Sequence, residues 1–147
     1  MTESKAKRYL QLAQFNADLF SKDPHTKVGA IFLSNDFSRI LSTGINGFPR
    51  GLDDNLEYRW ERPLKYSFVC HAESNGIANA ARTGTPLDSS IVITTKFPCS
   101  TCSKLLIQAG VTAIYCPKPN PNEKIWGEDS CVAVQMLEEV KIQIHYL

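Results

Sequence analysis

No stretch of this chain approaches the roughly 18 consecutive apolar residues that a membrane-crossing helix needs. Charge of one sign is also missing. Sixteen Lys and Arg stand against fifteen Asp and Glu, a formal charge of +1, without the basic excess of a domain that grips long nucleic acid by its phosphates. Cysteine is absent before Cys70, and the total of five is odd. The opening "MTESKAKRYLQLAQF" lacks the apolar core of a secretory signal. A disulfide framework is therefore disfavoured, and a cytoplasmic protein with metal-binding or buried thiols is expected. There is no internal repeat, low-complexity tract or linker, so the expectation is a single domain over residues 1–147, long enough to bury roughly 70% of its unfolded surface.

What is present reads as alternating elements. From Ser4 to Phe20, Ala6, Tyr9, Leu10, Ala13, Ala17 and Phe20 recur at helical spacing. The proline of "SKDPHTK" ends that helix. "VGAIFL" and "RILSTGI", joined by "SNDFS", predict a hairpin, and "NGFPRGLDDN" is dense enough in turn formers to be an ordered loop. The charged "LEYRWERPLKYSF" reads as a connector to a helix that runs to about Arg82. "SSIVITT" and "VTAIYC" are buried strands flanking the helix "CSTCSKLLIQAG". "PKPNPNEKIWGED" is a loop, "SCVAVQMLEEV" a helix and "KIQIHY" a last strand. Helix and strand alternation in the second half points to an α/β layer structure.

The chemistry concentrates in two short motifs. "FPCSTC" places Cys99 and Cys102 at the first turn of a helix, where both thiolates can reach one cation and the helix dipole favours the ionised form. Alone, such a pair suits a structural zinc knuckle or a redox dithiol equally. A structural site wants a second closely spaced Cys or His pair, which this chain lacks. A redox pair leaves "CHAE", with His71 and Glu73, unexplained. His71, Cys99 and Cys102 together supply three ligands and leave a fourth position for water, the pattern of a catalytic zinc site. Two neighbouring parallel strands would bring both helix mouths to one edge of a sheet. Glu73 is placed to exchange a proton with water there, whereas a plain electrostatic role at the helix start would be worth about 0.3–1 kcal/mol. Cys70 ends the preceding segment and is expected to point away from the metal.

The combination of "HAE" and "PCSTC" matches the H-x-E…P-C-x-x-C signature of zinc-dependent nucleobase deaminases. With "KDPHTKVGAIF", "ILSTGINGFPRGLDD" and "KYSFVCHAE" in that order, the chain resembles the cytidine and deoxycytidylate (dCMP) deaminase superfamily over about Ala6 to Ile144, and dCMP deaminases most of all. That resemblance implies a three-layer α/β/α fold with a central five-stranded mixed sheet. It also implies hydrolysis of dCMP to dUMP and ammonia for thymidylate synthesis, with one Zn2+ on His71, Cys99 and Cys102 and Glu73 as the proton carrier. Asn46 is implied to bond the sugar hydroxyl, and Ala72, Phe97 and Pro98 to border the pyrimidine. For the 5′-phosphate, the loop after the first helix offers Ser21, Lys22, His25, Thr26 and Lys27. Asn46, Gly47, Arg50, Asp53 and Asp54 fall in the segment such enzymes use for a nucleotide effector, dCTP activating and dTTP inhibiting, with Mg2+ accompanying the nucleotide. A homo-oligomer, a hexamer by family habit, is expected, with neither membrane nor long nucleic acid as partner.

One feature departs from the family pattern. Gly76 interrupts the usual "NAI" after the glutamate, at about 1 kcal/mol of helix propensity relative to Ala, for which close packing near the zinc is a reason. Trp126 either packs across a subunit interface or caps the core. Rival readings are a deaminase of cytidine, dCTP, guanine, a riboflavin-pathway pyrimidine or transfer-RNA adenosine, and a non-catalytic zinc module.

Overall fold

The protein is described by a computed structural model covering residues 1–147. Helix α1 spans Glu3–Phe20, with the Thr2 hydroxyl accepting from the Lys5 N–H as its cap. Its buried face is small, Ala6, Ala13 and Ala17. Small residues let the helix approach the sheet so closely that a Cβ on Gly29 would strike the Ala13 carbonyl. Strands β1 (Gly29–Leu33) and β2 (Ile40–Ile45) form the expected hairpin. Its turn is closed by Asp36, whose carboxylate accepts from the Ser34 hydroxyl and from the hydroxyl and N–H of Ser38.

After the loop come a 3₁₀ turn at Glu57–Trp60, a one-turn helix α2 (Lys65–Phe68) and helix α3 (Ala72–Thr83), which ends on Gly84 in the left-handed region at φ 67°. Then follow β3 (Ile91–Thr94), α4 (Ser100–Gln108), β4 (Ala113–Cys116), α5 (Gly127–Glu139) and β5 (Gln143–Tyr146). The sheet order is β2-β1-β3-β4-β5, with β1 antiparallel to both β2 and β3 and the pairs β3-β4 and β4-β5 parallel.

Period-two alternation divides the core between the two sheet faces. Ile31, Leu33, Ile91, Ile93, Ala113 and Tyr115 face α1. Phe32, Val92, Ile114 and Cys116 face the other way, toward Ala72 and Ala80 of α3, Leu106 of α4 and Leu137 of α5. These layers form the expected α/β/α sandwich around a five-stranded mixed sheet. No helix is long and apolar enough to cross a membrane.

Two segments differ from the sequence reading. The connector before α3 is structured, because Trp60 is buried and stacks on Phe48 with ring centroids 4.1 Å apart. Helix α5 starts at Gly127 rather than Ser130, and its first turn is tied to α4 by Asp129, which accepts from the Ser100 N–H at 2.7 Å. Gly76 also acquires a reason, and it lies in sheet packing rather than at the metal. A Cβ there would overlap the Phe32 ring, while a Cβ on Gly44 of β2 would strike the Ala72 carbonyl. Helix α3 therefore sits against β1 and β2 at a distance only glycine allows, and the Ser42 hydroxyl donates to the Gly76 carbonyl across the contact at 2.7 Å.

Candidate active site

His71 is the residue before the first turn of α3, and Cys99 holds the same position before α4. The two helices follow β2 and β3, which run in the same direction because each is antiparallel to β1. Their mouths thus open at one sheet edge as expected, but across the intervening β1 and not from neighbouring strands. Cys99 also caps α4, its Sγ accepting from the Cys102 N–H at 3.5 Å.

The Nδ1 of His71 lies 3.3 Å from Cys99 Sγ and 3.5 Å from Cys102 Sγ, and the three atoms fit within 4.8 Å of one another. Such separations suit an imidazole nitrogen and two sulfurs placed about 2.0–2.3 Å from a common centre, the distances zinc prefers. The donor set fits a zinc ion on chemistry and spacing alike. Cys70 stands outside the cluster, as expected, its backbone paired instead with Gly47 in an isolated antiparallel bridge. Cys116 is buried in the core, and burial pushes its thiol up to about 12, so it stays protonated.

Electrostatics favour anionic sulfur in the cup. The Cys99 thiol is held down to about 4, first by a hydrogen bond from Cys102 and then by the His71 ring and the Cys102 N–H. Cys102 is pushed up because it supplies that bond and is itself buried. A bound cation would displace the proton left on the pair. The Cys99 contact in turn raises His71. Glu73 is 3% exposed, and burial raises its carboxyl above the usual carboxylate range. A carboxyl so placed takes up and gives back a proton more readily near neutrality than an exposed one does.

All these groups border a cavity of about 270 Å³. Its walls include Asn46, Ala72, Phe97 and Pro98, as the sequence reading expected, and Thr26 from the loop after α1. Lys22 and Lys27 are directed elsewhere. Lys22 pairs with Asp54 at 2.7 Å, and Lys27 donates to the Asp18 carbonyl at 2.9 Å. Ser21 is buried beneath Asn46, to which its hydroxyl donates at 2.9 Å, and His25 is exposed away from the cavity. The cations on the cavity wall are Arg62, Lys65 and Lys96, none of which the sequence reading singled out.

Trp126 is half-buried and stands outside the core clusters. It borders the cavity, edge-on to the His71 ring at 5.9 Å and to Tyr66 at 6.1 Å, with the Lys96 ammonium 5.8 Å above its ring. Beneath these residues lies a polar floor. Asp23, 1% exposed, accepts from the N–H groups of His25 and Thr26, from Asn46 Nδ2, and from Lys65 Nζ at 2.8 Å to Oδ1, with Oδ2 2.7 Å from the same ammonium in an ion pair. Asn46 is fully engaged. Its Nδ2 donates to Asp23 and to the Thr26 carbonyl, while its Oδ1 accepts from the Ser21 hydroxyl and the Val28 N–H. Those are all the hydrogen bonds its amide can make.

A second cavity of about 210 Å³ opens beside the loop after β2. Asn46, Gly47, Arg50 and Asp54 line it together with Lys22, Phe48 and Trp60; Asp53 does not. Asn46 therefore borders both cavities.

An imidazole and two thiols converging beside a buried carboxyl, at the edge of a mixed five-stranded sheet, define a zinc-dependent deaminase site of the nucleobase type. The chain belongs to the cytidine and deoxycytidylate deaminase family, whose zinc-binding region matches residues 3–118. Among curated relatives, it is 35% identical over 148 residues to an "uncharacterized deaminase in luxG 3' region" of Aliivibrio fischeri, covering 100% of this chain and 96% of that one. It is 32% identical over 135 residues to the deoxycytidylate deaminase of Homo sapiens, covering 88% and 71%. The dCMP deaminase of the cyanophage S-TIM5, solved in complex with dCMP and dUMP, superposes with a TM-score of 0.78 at 27% identity over 100% of this chain and 99% of that one.

Proposed function

We propose that the protein converts dCMP and water to dUMP and ammonia. The observation that carries this reading is the single cavity, which joins the His71, Cys99 and Cys102 cup and the buried Glu73 carboxyl to the cationic residues Arg62 and Lys96. The relatives named dCMP deaminases supply the choice of nucleotide.

His71 Nδ1 and the sulfurs of Cys99 and Cys102 would hold zinc, whose Lewis acidity lowers the pKa of water to about 7. Glu73 takes a proton from the attacking water and delivers it to N3 of the pyrimidine. As C4 turns tetrahedral, Glu73 moves the second proton to the departing amino group, so that ammonia leaves and the carbonyl of dUMP remains. Burial serves this task, because a carboxyl with a raised pKa holds the proton between the two transfers. Ala72, Phe97 and Pro98 border the ring, and Trp126 covers it from the side of His71.

The 5′-phosphate falls to Arg62 and Lys96 rather than to Lys22 or Lys27. Arg62 has no carboxylate within ion-pairing distance, and Lys96 is held only by an exposed contact to Glu123 at 3.5 Å. Turnover across dCMP, deoxycytidine, cytidine, cytosine and guanine tests the reading. Preference for dCMP is expected; activity on cytidine equal to that on dCMP would sink the phosphate site.

The chain builds one five-stranded sheet, which supports residues 1–147 acting as a single catalytic domain. The second cavity supports effector control by dCTP and dTTP, and a change in the substrate saturation curve on adding dCTP measures it. The magnesium expectation finds no support there, since Asp54 is already paired with Lys22 and Asp53 lies outside the cavity. Leu12, Phe15, Leu19 and Phe20 leave an exposed apolar stripe along α1, which supports a homo-oligomer; sedimentation reports whether it is a hexamer. A reducing cytoplasm suits the two reactive thiols, and cell fractionation checks that location.

A further inference from the structure

We infer that Lys65 is a specificity residue, its ammonium donating a hydrogen bond to a hydroxyl of the sugar at the floor of the catalytic cavity. This rests on the dCMP reading above. Lys65 is 5% exposed, yet what remains of its surface borders the cavity. An ammonium carries three N–H donors. The Asp23 carboxylate accepts one of them at 2.8 Å through Oδ1, with Oδ2 2.7 Å from the same ammonium in the ion pair, and no other protein acceptor lies within bonding distance of Nζ. At least one donor is left on the cavity floor, where its two polar neighbours, Asp23 and Asn46, are occupied. Asp23 is already crowded with the N–H groups of His25 and Thr26 and the amide of Asn46, and Asn46, which resemblance assigns to the sugar, has spent all four of its hydrogen bonds on the protein.

Charge decides what this donor accepts as a ligand. Asp23 neutralises Lys65 within a buried pair, so the floor offers a hydrogen bond without net charge. That suits a neutral hydroxyl better than a phosphate dianion, which draws on Arg62 and the weakly held Lys96 of the same cavity. A lysine serving only as scaffold would be hard to account for, because a buried ion pair is commonly no more stabilising than apolar residues of the same volume. Asp23 already ties down the loop through its three other donors.

The test compares dCMP with 2′,3′-dideoxycytidine 5′-monophosphate, which lacks the 3′-hydroxyl, and with deoxycytidine, which lacks the phosphate. The wild type should prefer dCMP over the dideoxy nucleotide by about tenfold or more in kcat/KM, as expected for a hydrogen bond to a charged donor. In Lys65→Met, and in Asp23→Asn combined with Lys65→Met, which removes both charges together, that preference should fall below about threefold. The preference of dCMP over deoxycytidine should persist. A merely structural lysine would lower turnover of all three substrates in proportion and leave both ratios unchanged, which would overturn the inference. So would a wild type indifferent to the missing hydroxyl, a result that needs no variant to fold. Loss of the phosphate preference alone would overturn it too, by giving Lys65 to the phosphate. A wild type inert toward dCMP but active on another pyrimidine would overturn the function reading itself, and this inference with it.

Discussion

The metal cup and the polar floor share one cavity but are built in opposite ways. The cup takes its residues from two helix mouths, each supplying a short motif: His71 with the nearby Glu73 carboxyl, and Cys99 with Cys102. The floor joins Asp23, Asn46 and Lys65, single residues from three separate segments, the first and last 42 positions apart. Local backbone geometry largely arranges the cup, since a residue at the start of a helix and another a turn later necessarily lie close. Only the assembled fold arranges the floor. The cup should therefore respond to substitution through chemistry, and the floor through stability and selectivity.

The largest effect should come from the cup. Cys99→Ser keeps the helix cap, since serine is a favoured capping residue, but loses a metal ligand; zinc content measured on the purified protein should drop and turnover with it. Cys70→Ser, outside the cluster, should retain both. If the two variants behave alike, the division between cup and surroundings fails. Next, Glu73→Gln should leave the fold and the zinc content intact while lowering kcat by about 10²- to 10⁴-fold, the usual worth of a positioned acid–base group. A glutamine variant that works normally would favour a non-catalytic zinc module.

On the floor, Asp23→Asn strands the Lys65 ammonium in a buried site. Chemical unfolding should show a loss of about 3–5 kcal/mol, the penalty for an uncompensated buried charge. Zinc bound by the folded fraction should be unchanged. Gly76→Ala probes the contact between α3, which carries the cup, and the sheet. Helix propensity favours alanine by about 1 kcal/mol, but the overlap with the Phe32 ring should outweigh it, for a net loss of up to about 2 kcal/mol.

The smallest effect belongs to the hairpin turn, far from both regions. Hydrogen bonds from the Ser34 and Ser38 hydroxyls, aided by the Ser38 N–H, hold the Asp36 carboxyl down to about 2. A lowered folded-state pKa means that ionised Asp36 adds stability above the ordinary carboxylate range and loses it as the pH falls toward 2. The melting temperature of Asp36→Asn should lie slightly below that of the wild type at neutral pH, the gap closing as acid is added through that window. Because the side chain is exposed, the gap should be small.

Much of the fold was legible because both signals that carry it are periodic. The β-branched run at Ile91–Thr94, the apolar run at Ala113–Cys116 and the alanine-lined face of α1 announce buried strands and a closely docked helix. The parallel relation of β2 and β3 was legible; the presence of β1 between them was not, because strand order depends on pairings of residues distant in sequence. The charged segment before α3 read as a connector for the same reason. Lys65 looks like a solvent-facing lysine until Asp23 is brought beside it. Lys22 and Lys27 erred in the other direction: they sit in the right loop but face Asp54 and the end of α1. One signal for Trp126 lay on the page, an aromatic ring in an otherwise polar loop, although nothing local says which wall such a ring will cover.

By itself, the sequence determined the α/β class through its alternating periodicities, and the two short motifs, His71 with Glu73 and Cys99 with Cys102, because each motif lies within one turn of chain. Tertiary structure alone decided which cations border the cavity, that Asn46 is already saturated, and that Lys65 keeps a donor free. Those facts follow from long-range placement: the hairpin carries Asn46 over Asp23, and α2 lowers Lys65 onto the same carboxylate. Spacing along a chain can place a ligand beside its neighbour, but burial and hydrogen-bond satisfaction are properties of the whole fold.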